Sequence, residues 1–168
     1  MKSYILKIKL EESDPLIWRR VIMPAGATYR RLHDVIQNVT NFRSGYPYEG
    51  YHLYEFDLTK DQKILTDYEE AYLEHQHYKK NKVAYEERLK SVPPQILEFE
   101  KNALERLKIE VRKPTGLKID EYLVKYGEIR YSYDYDDGWQ FTIKLEEIVD
   151  DYYFGYPTLL DGAEASSP

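Results

Sequence analysis

The chain reads as an α+β fold, with a largely antiparallel sheet packed by an amphipathic helix and a helical hairpin inserted near the middle. Three observations predict it. Tyr4 to Leu10 alternates between apolar and polar residues, as a half-buried strand does. Leu32, Val35, Ile36 and Val39 recur at i, i+3, i+4 and i+7, one apolar stripe of a helix. The run YSYDYDDGW, Tyr131 to Trp139, sets Asp-Gly between two alternating segments, the strongest short hairpin signal. Strands that pair as hairpins fit α+β better than a doubly wound sheet.

The elements follow in order. Tyr4, Leu6, Ile8 and Leu10 line one face of the first strand, and Glu11 to Pro15 forms a turn. Leu16 to Met23 is a second strand, antiparallel to the first, broken at Pro24-Ala25-Gly26-Ala27. Thr28 is suited to N-cap the helix that ends near Thr40, and His33 and Gln37 lie four apart on another of its faces. A turn-rich loop, Arg43 to Gly50, leads to a strand from Tyr51 to Leu58 with His52, Tyr54 and Phe56 on one face. Residues 60–115 are polar and helix-prone. Ala71, His75, Tyr78, Lys82, Tyr85 and Leu89 form one stripe, and Ile96, Phe99, Ala103 and Leu107 a second. Asp120 is placed to cap a short helix whose inward residues are Tyr122, Leu123 and Tyr126, with Gly127 at the C′ position. Ile129, Tyr131, Tyr133 and Tyr135 then alternate inward, as do Trp139, Phe141, Ile143 and Leu145. Asp150 to Pro168 reads as an extended arm packed through Tyr153, Phe154, Tyr156 and Leu159.

Composition bounds the rest. The 168 residues fit a single domain with an insertion at about 60–115, and 42% hydrophobic against 32% charged residues is an ordinary soluble balance. The absence of cysteine excludes disulfides and thiolate chemistry and fits a reducing, cytoplasmic setting. No apolar run approaches the roughly 20 residues a membrane helix needs, so no membrane partner is expected. The charge of −6 is concentrated late: residues 129–168 hold nine acids against two bases. That balance makes nucleic acid an unfavoured partner for this third of the chain. Eighteen tyrosines are the compositional oddity, and strand propensity explains them more simply than a binding surface does.

No complete catalytic set is present: there is no P-loop, no G-x-S-x-G and no G-x-G-x-x-G. His33 and His52 together with Asp134 or Asp137 form the one group with facial metal-ligand chemistry, although core histidines and turn aspartates are the commoner roles for such residues. His75 and His77, two apart on a helix, face different ways and read as two solvated side chains. The sequence leaves the cofactor unknown. Arg19, Arg20, Arg30, Arg31 and Arg43 make a modest basic patch, most simply paired with the protein's own acids.

Four segments carry a resemblance. LIWRRVIMPAGATYRRLHDVIQ (Leu16 to Gln37), HLYEF (His52 to Phe56), YSYDYDDGW and YPTLLDGAEA (Tyr156 to Ala165) resemble, in order, the plasmid pRiA4b ORF-3-like family. In the hairpin the family pattern Y-x-Y-D-F-G-D-x-W is matched by Tyr133, Asp134, Asp137 and Trp139. Tyr135 replaces the aromatic, and Asp136 stands in place of the family glycine, which changes the backbone freedom of the turn. The family pattern also runs on past the Gly-Ala segment, which implies a further segment beyond Pro168. Some members carry a resolvase label linked to mobile elements, but no nucleophilic serine among arginines and no recognition helix accompany the motifs here.

Three readings of function remain open. The favoured one is a non-catalytic binding or interaction module, with a protein as one partner class, using the Tyr/Trp-rich sheet and Asp-rich hairpin. Its residues are Trp18, Arg19 and Trp139 together with His33, His52, Asp134 and Asp137. The others are a metal-assisted hydrolase with a His/Asp site and a DNA-associated accessory protein of mobile elements.

Overall fold

A computed structural model describes residues 2–12, 16–40, 53–133, 138–151 and 155–163. Within them an eight-stranded sheet carries the fold. The strands are β1 (Ser3–Leu10), β2 (Trp18–Pro24), β3 (Tyr54–Leu58), β4 (Lys63–Thr66), β5 (Glu110–Arg112), β6 (Glu128–Tyr133), β7 (Trp139–Val149) and β8 (Thr158–Ala163), in spatial order β5-β4-β3-β6-β7-β1-β2-β8. The helices are α1 (Tyr29–Thr40), α2 (Glu69–Lys80), α3 (Lys82–Lys90), α4 (Leu97–Lys108) and α5 (Ile119–Tyr126). The α+β reading holds: every named pairing is antiparallel except β4 with β5.

One face of the sheet is the core face. Tyr4, Leu6, Ile8 and Leu10 of β1 meet Leu32, Val35 and Ile36 of α1 and Ile119 and Leu123 of α5 in a single cluster. A row of rings crosses its centre, because Phe56 pairs with Tyr131 and Tyr131 with Phe141 in the strand register. The tyrosines of this face, Tyr4, Tyr54, Tyr131 and Tyr133, are buried, as is Tyr29 of α1 packed against it. Strand propensity and burial account for them, and a displayed tyrosine surface is not formed by these five. Alternate residues point to the opposite face, where Lys7, Trp18, Arg20 and Thr142 are half-buried and Gln140 and Lys144 exposed.

Local rules explain the ends of the elements. The Thr28 hydroxyl accepts the amide of Arg31 at 3.2 Å, capping α1 as its sequence requires. Gly127 takes φ +76 after α5, where a side chain would be strained, and its amide closes on the Leu123 carbonyl at 2.8 Å. Asp120 does not cap α5. It sits in the first turn after Lys118, accepts the Tyr4 hydroxyl at 2.6 Å and the Gly26 amide at 2.8 Å, and so ties β1 and the β2–α1 turn to α5.

The structure corrects three further expectations. Residues 60–115 are more than a hairpin: three helices are bracketed by β4 and β5, which pair in parallel and extend the sheet. Their stripes also differ, with Phe99 66% exposed and Leu104 buried in its place. His75 is not solvated; it is buried, and its Nδ1 meets the Leu107 carbonyl at 2.8 Å, joining α2 to α4. The C-terminal segment is not an irregular arm, since Thr158–Ala163 forms β8 against β2, leaving Tyr156 and Leu159 exposed. Tyr153 and Phe154 lie outside the described residues.

The Asp120 junction yields a stability test. Asp120→Ala is expected to lose about 1–3 kcal/mol in urea unfolding, because two donors lose a charged acceptor. Tyr4→Phe, which removes one bond only, is expected to lose less.

Candidate functional site

The sequence places His33 and Gln37 one turn apart on α1, and the fold sets both over Tyr131 at the centre of β6. The Gln37 amide donates to the Tyr131 oxygen at 3.0 Å, and Tyr131 lies 2.6 Å from His33 Nδ1. The Tyr131 oxygen thus accepts from Gln37, and its bond to Nδ1 takes its direction from the His33 tautomer. Burial, with Gln37 opposing it, carries the Tyr131 hydroxyl well above the usual tyrosine range, so it stays protonated.

The Tyr54 ring completes the arrangement. It stacks on the His33 imidazole with centroids 3.6 Å apart and planes 9° from parallel, and the Tyr133 ring lies 6.4 Å from His33. Burial first, and the Arg30 guanidinium second, hold the His33 pKa down to about 3. His33 is thus a neutral imidazole at physiological pH, with Nδ1 occupied and Nε2 as its remaining polar atom. It is not poised as a general base at pH 7.

The other sequence-derived residues divide between the two faces. Arg19 points to the helix side, where Nε donates to the Val39 carbonyl at the C-terminal end of α1 at 2.8 Å and Nη1 to the Trp18 carbonyl at 2.9 Å. Gly162 of β8 lies so close that an added Cβ would sit 2.8 Å from Arg19 Cδ. Trp18 lies on the opposite face, with Lys7 Nζ and Arg20 Cζ each 4.9 Å from its ring centroid. Arg20 also pairs with Glu146 at 2.6 Å and Asp161 at 3.1 Å, the pairing with the acidic third that the charge distribution implies. Trp139 stands opposite Tyr133 at the start of β7 and is 38% exposed. His52, Asp134 and Asp137 lie outside the described residues. Among the described residues no group of three or more His, Cys, Asp or Glu side chains is placed to hold a metal ion.

Beside Trp139 a cleft of about 410 Å³ opens at the hairpin end of the sheet, lined by Glu11, Glu12, Arg130, Gly138, Trp139 and Gln140. The strand register builds it: the Glu11 amide bonds the Gln140 carbonyl at 2.8 Å, bringing the end of β1 beside the start of β7. The Thr142 hydroxyl donates to the Glu11 carboxylate. Two lining residues hold left-handed backbone, Glu12 at φ +58 and Gly138 at φ +69. For Glu12 this is a conformation that a side chain disfavours. Sequence reasoning missed Glu11 and Glu12, which read as turn residues. It also missed the link from Gln37 through Tyr131 to His33, for which the i, i+4 spacing was the only signal.

A model of the family described as plasmid pRiA4b ORF-3-like protein matches residues 2–168. No curated protein matches the chain. Among solved structures, the crystal structure of a protein of unknown function, MM3350 from Methanosarcina mazei Go1, matches with a TM-score of 0.61 and 23% identity, over 96% of this chain and 69% of that one. At that identity the likeness concerns the fold.

The His33 environment sets a pH test. Its folded pKa lies below the unfolded value of 6.5, so the unfolded chain binds the extra proton first. The stability that neutral His33 contributes is complete above pH 6.5 and is lost as pH falls toward 3. Between pH 6 and pH 4, wild type is expected to lose about 2 kcal/mol more than His33→Phe, measured by urea unfolding at each pH.

Proposed function

The chain belongs to the plasmid pRiA4b ORF-3-like family, and we propose that it is a non-catalytic binding module whose contact surface is the hairpin end of the sheet. One observation carries the reading: a polar cleft of about 410 Å³ whose lining includes Trp139, a residue 38% exposed. Small-ligand sites commonly occupy roughly 300–1,000 Å³. An aromatic wall with a few convergent polar groups is their usual composition, and tryptophan is enriched among residues that dominate binding energy.

The chemistry of the lining defines what the cleft accepts. Trp139 offers a flat apolar face for an aromatic ring, a sugar ring or an alkyl-ammonium group. Glu11 and Glu12 accept hydrogen bonds, Arg130 donates them, and Gln140 does both. The mixed charge favours a polar ligand of low net charge over a polyanion. The left-handed backbone at Glu12 supports the reading, since non-glycine residues held in such conformations concentrate at functional sites.

The decisive experiment screens the purified chain against metabolites, sugars and short peptides by tryptophan fluorescence and ligand-observed NMR. Trp139→Ala is expected to weaken the resulting interaction roughly thirtyfold or more, as loss of a binding hot spot does. The same variant is expected to unfold within about 1 kcal/mol of wild type, because the side chain is partly exposed. Equal affinity in Trp139→Ala would remove the cleft from consideration, and turnover of any bound ligand would refute the non-catalytic role.

A further inference from the structure

The cleft beside Trp139 does not end at Arg130. That residue also lines a second cleft of about 190 Å³, whose walls include Asp57, Lys60, Tyr126 and Glu128. Both clefts follow β6. One lies where Tyr133 pairs with Trp139, the other where Glu128 follows Gly127. The six residues of β6 at about 3.3 Å each span roughly 20 Å. Arg130 stands between the clefts on the face opposite the core, since its neighbours Ile129 and Tyr131 are buried. Beyond it the floor is polar, where Ser132 donates to the Gln140 side chain at 2.9 Å.

The charges along this line are engaged unequally. Asp57 accepts the amide and the hydroxyl of Thr59, at 2.9 and 2.6 Å. Glu11 accepts the Thr142 hydroxyl and lies 3.6 Å from Lys9. Arg130 stands opposite Asp57 in the register, yet it has no hydrogen bond or ion pair among the described residues. Lys60 rests over the Tyr126 ring, 5.1 Å from its centroid, also with no carboxylate partner among those residues. Tyr126 in turn is held by its hydrogen bond to Asp61.

We propose that the two clefts form one groove along β6 that holds an extended peptide segment of about six residues. An apolar or aromatic side chain of the guest meets Trp139, an acidic one meets Arg130, and the guest continues to Lys60. This rests on the Trp139 cleft being the contact surface. Arginine is the natural partner of a carboxylate, because its planar fork makes two parallel bonds. A neutral sugar chain offers these cations no charge. A nucleic-acid backbone would meet Glu11, Glu12, Asp57 and Glu128 along the same line. β6 is already paired with β3 and β7, so the guest is read through its side chains and does not add as a strand. Arg130 and Tyr133 are about 10 Å apart along the strand, which sets the guest's aromatic about three positions from its acid.

The test uses the full chain and an array of synthetic octapeptides. Each carries an aromatic residue about three positions from an aspartate, in either order, with the other positions varied. The best binder is then measured in solution by fluorescence anisotropy, beside its Asp-to-Asn version and a neutral glucose hexasaccharide. Wild type is expected to bind the aspartate peptide roughly tenfold more tightly than the asparagine one. Arg130→Gln is expected to lose that preference while binding the asparagine peptide as wild type does. Lys60→Gln is expected to weaken the octapeptide about threefold and to leave a tetrapeptide spanning only the aromatic and the acid unaffected. Arg31→Gln, on α1, is expected to change nothing. No octapeptide bound, no preference for aspartate, or a preference that survives Arg130→Gln would overturn the groove. Trp139-dependent binding of the hexasaccharide alone would keep the cleft and end the peptide reading. Peptide binding indifferent to Trp139→Ala would end both.

Discussion

The Tyr131 hydroxyl is the constraint around which the helix face is arranged. Tyr131 is fully buried in the middle of the sheet, and a phenol cannot be sealed there without a hydrogen-bond partner except at considerable cost. Gln37 and His33 answer it from successive turns of α1, which fixes the rotation and height of the helix over the strands. With α1 fixed in that way, Leu32, Val35 and Ile36 fall onto the apolar part of the same face. The C-terminal end of α1 reaches Arg19, and Arg19 in turn is covered by Gly162. One buried hydroxyl therefore sets the register between a helix and a sheet whose strands come from both ends of the chain.

Charge organises the opposite face by a different rule. An antiparallel sheet tolerates a solvated face when its polar residues pair across strands. Lys144 stands opposite Glu128, Arg130 opposite Asp57, and Arg20 closes on Glu146 and Asp161. The basic stretch near the N-terminus and the acidic C-terminal third are thereby brought onto adjacent strands. Exposed pairs of this kind contribute little stability each, about 0–1 kcal/mol. Like charges adjoin on this face as well, since Lys7 stands between Lys144 and Arg20 in the strand register.

What the sequence revealed follows from how local each determinant is. Thr28, the α1 stripe, Gly127 and the β6–β7 pairing are specified within a few residues, and each appears where its local chemistry requires. The insertion was harder to read for a physical reason. β4 has four residues and β5 three, too few for alternation to register, and their parallel pairing depends on three intervening helices. His75 illustrates the same limit. Its position on a polar helix gives no sign of burial, which comes from the Leu107 carbonyl, 32 residues away in sequence. The site residues behave likewise: the i, i+4 spacing of His33 and Gln37 was visible, but their common partner lies 98 and 94 residues further on.

The tyrosine content follows from the same physics, and its exceptions carry the most information. A tyrosine fills a sheet core as phenylalanine does, but each one imports a hydroxyl that needs a partner. Tyr4 is answered by Asp120, Tyr126 by Asp61, and Tyr131 by Gln37 and His33; each bond joins segments distant in sequence. These hydroxyls act as positional locks, because a slip of one residue would strand them. Tyr29 lies against the backbone of Tyr122 and Leu123, where the end of α5 supplies polar surroundings. Tyr54 differs in that its hydroxyl meets a side chain, the Arg30 guanidinium, with Asp34 and Asp67 nearby, rather than a backbone group. Phenylalanine would fill the same volume in a purely structural core, without the cost of desolvating an oxygen. The Tyr54 ring serves packing, stacked on the His33 imidazole with centroids 3.6 Å apart.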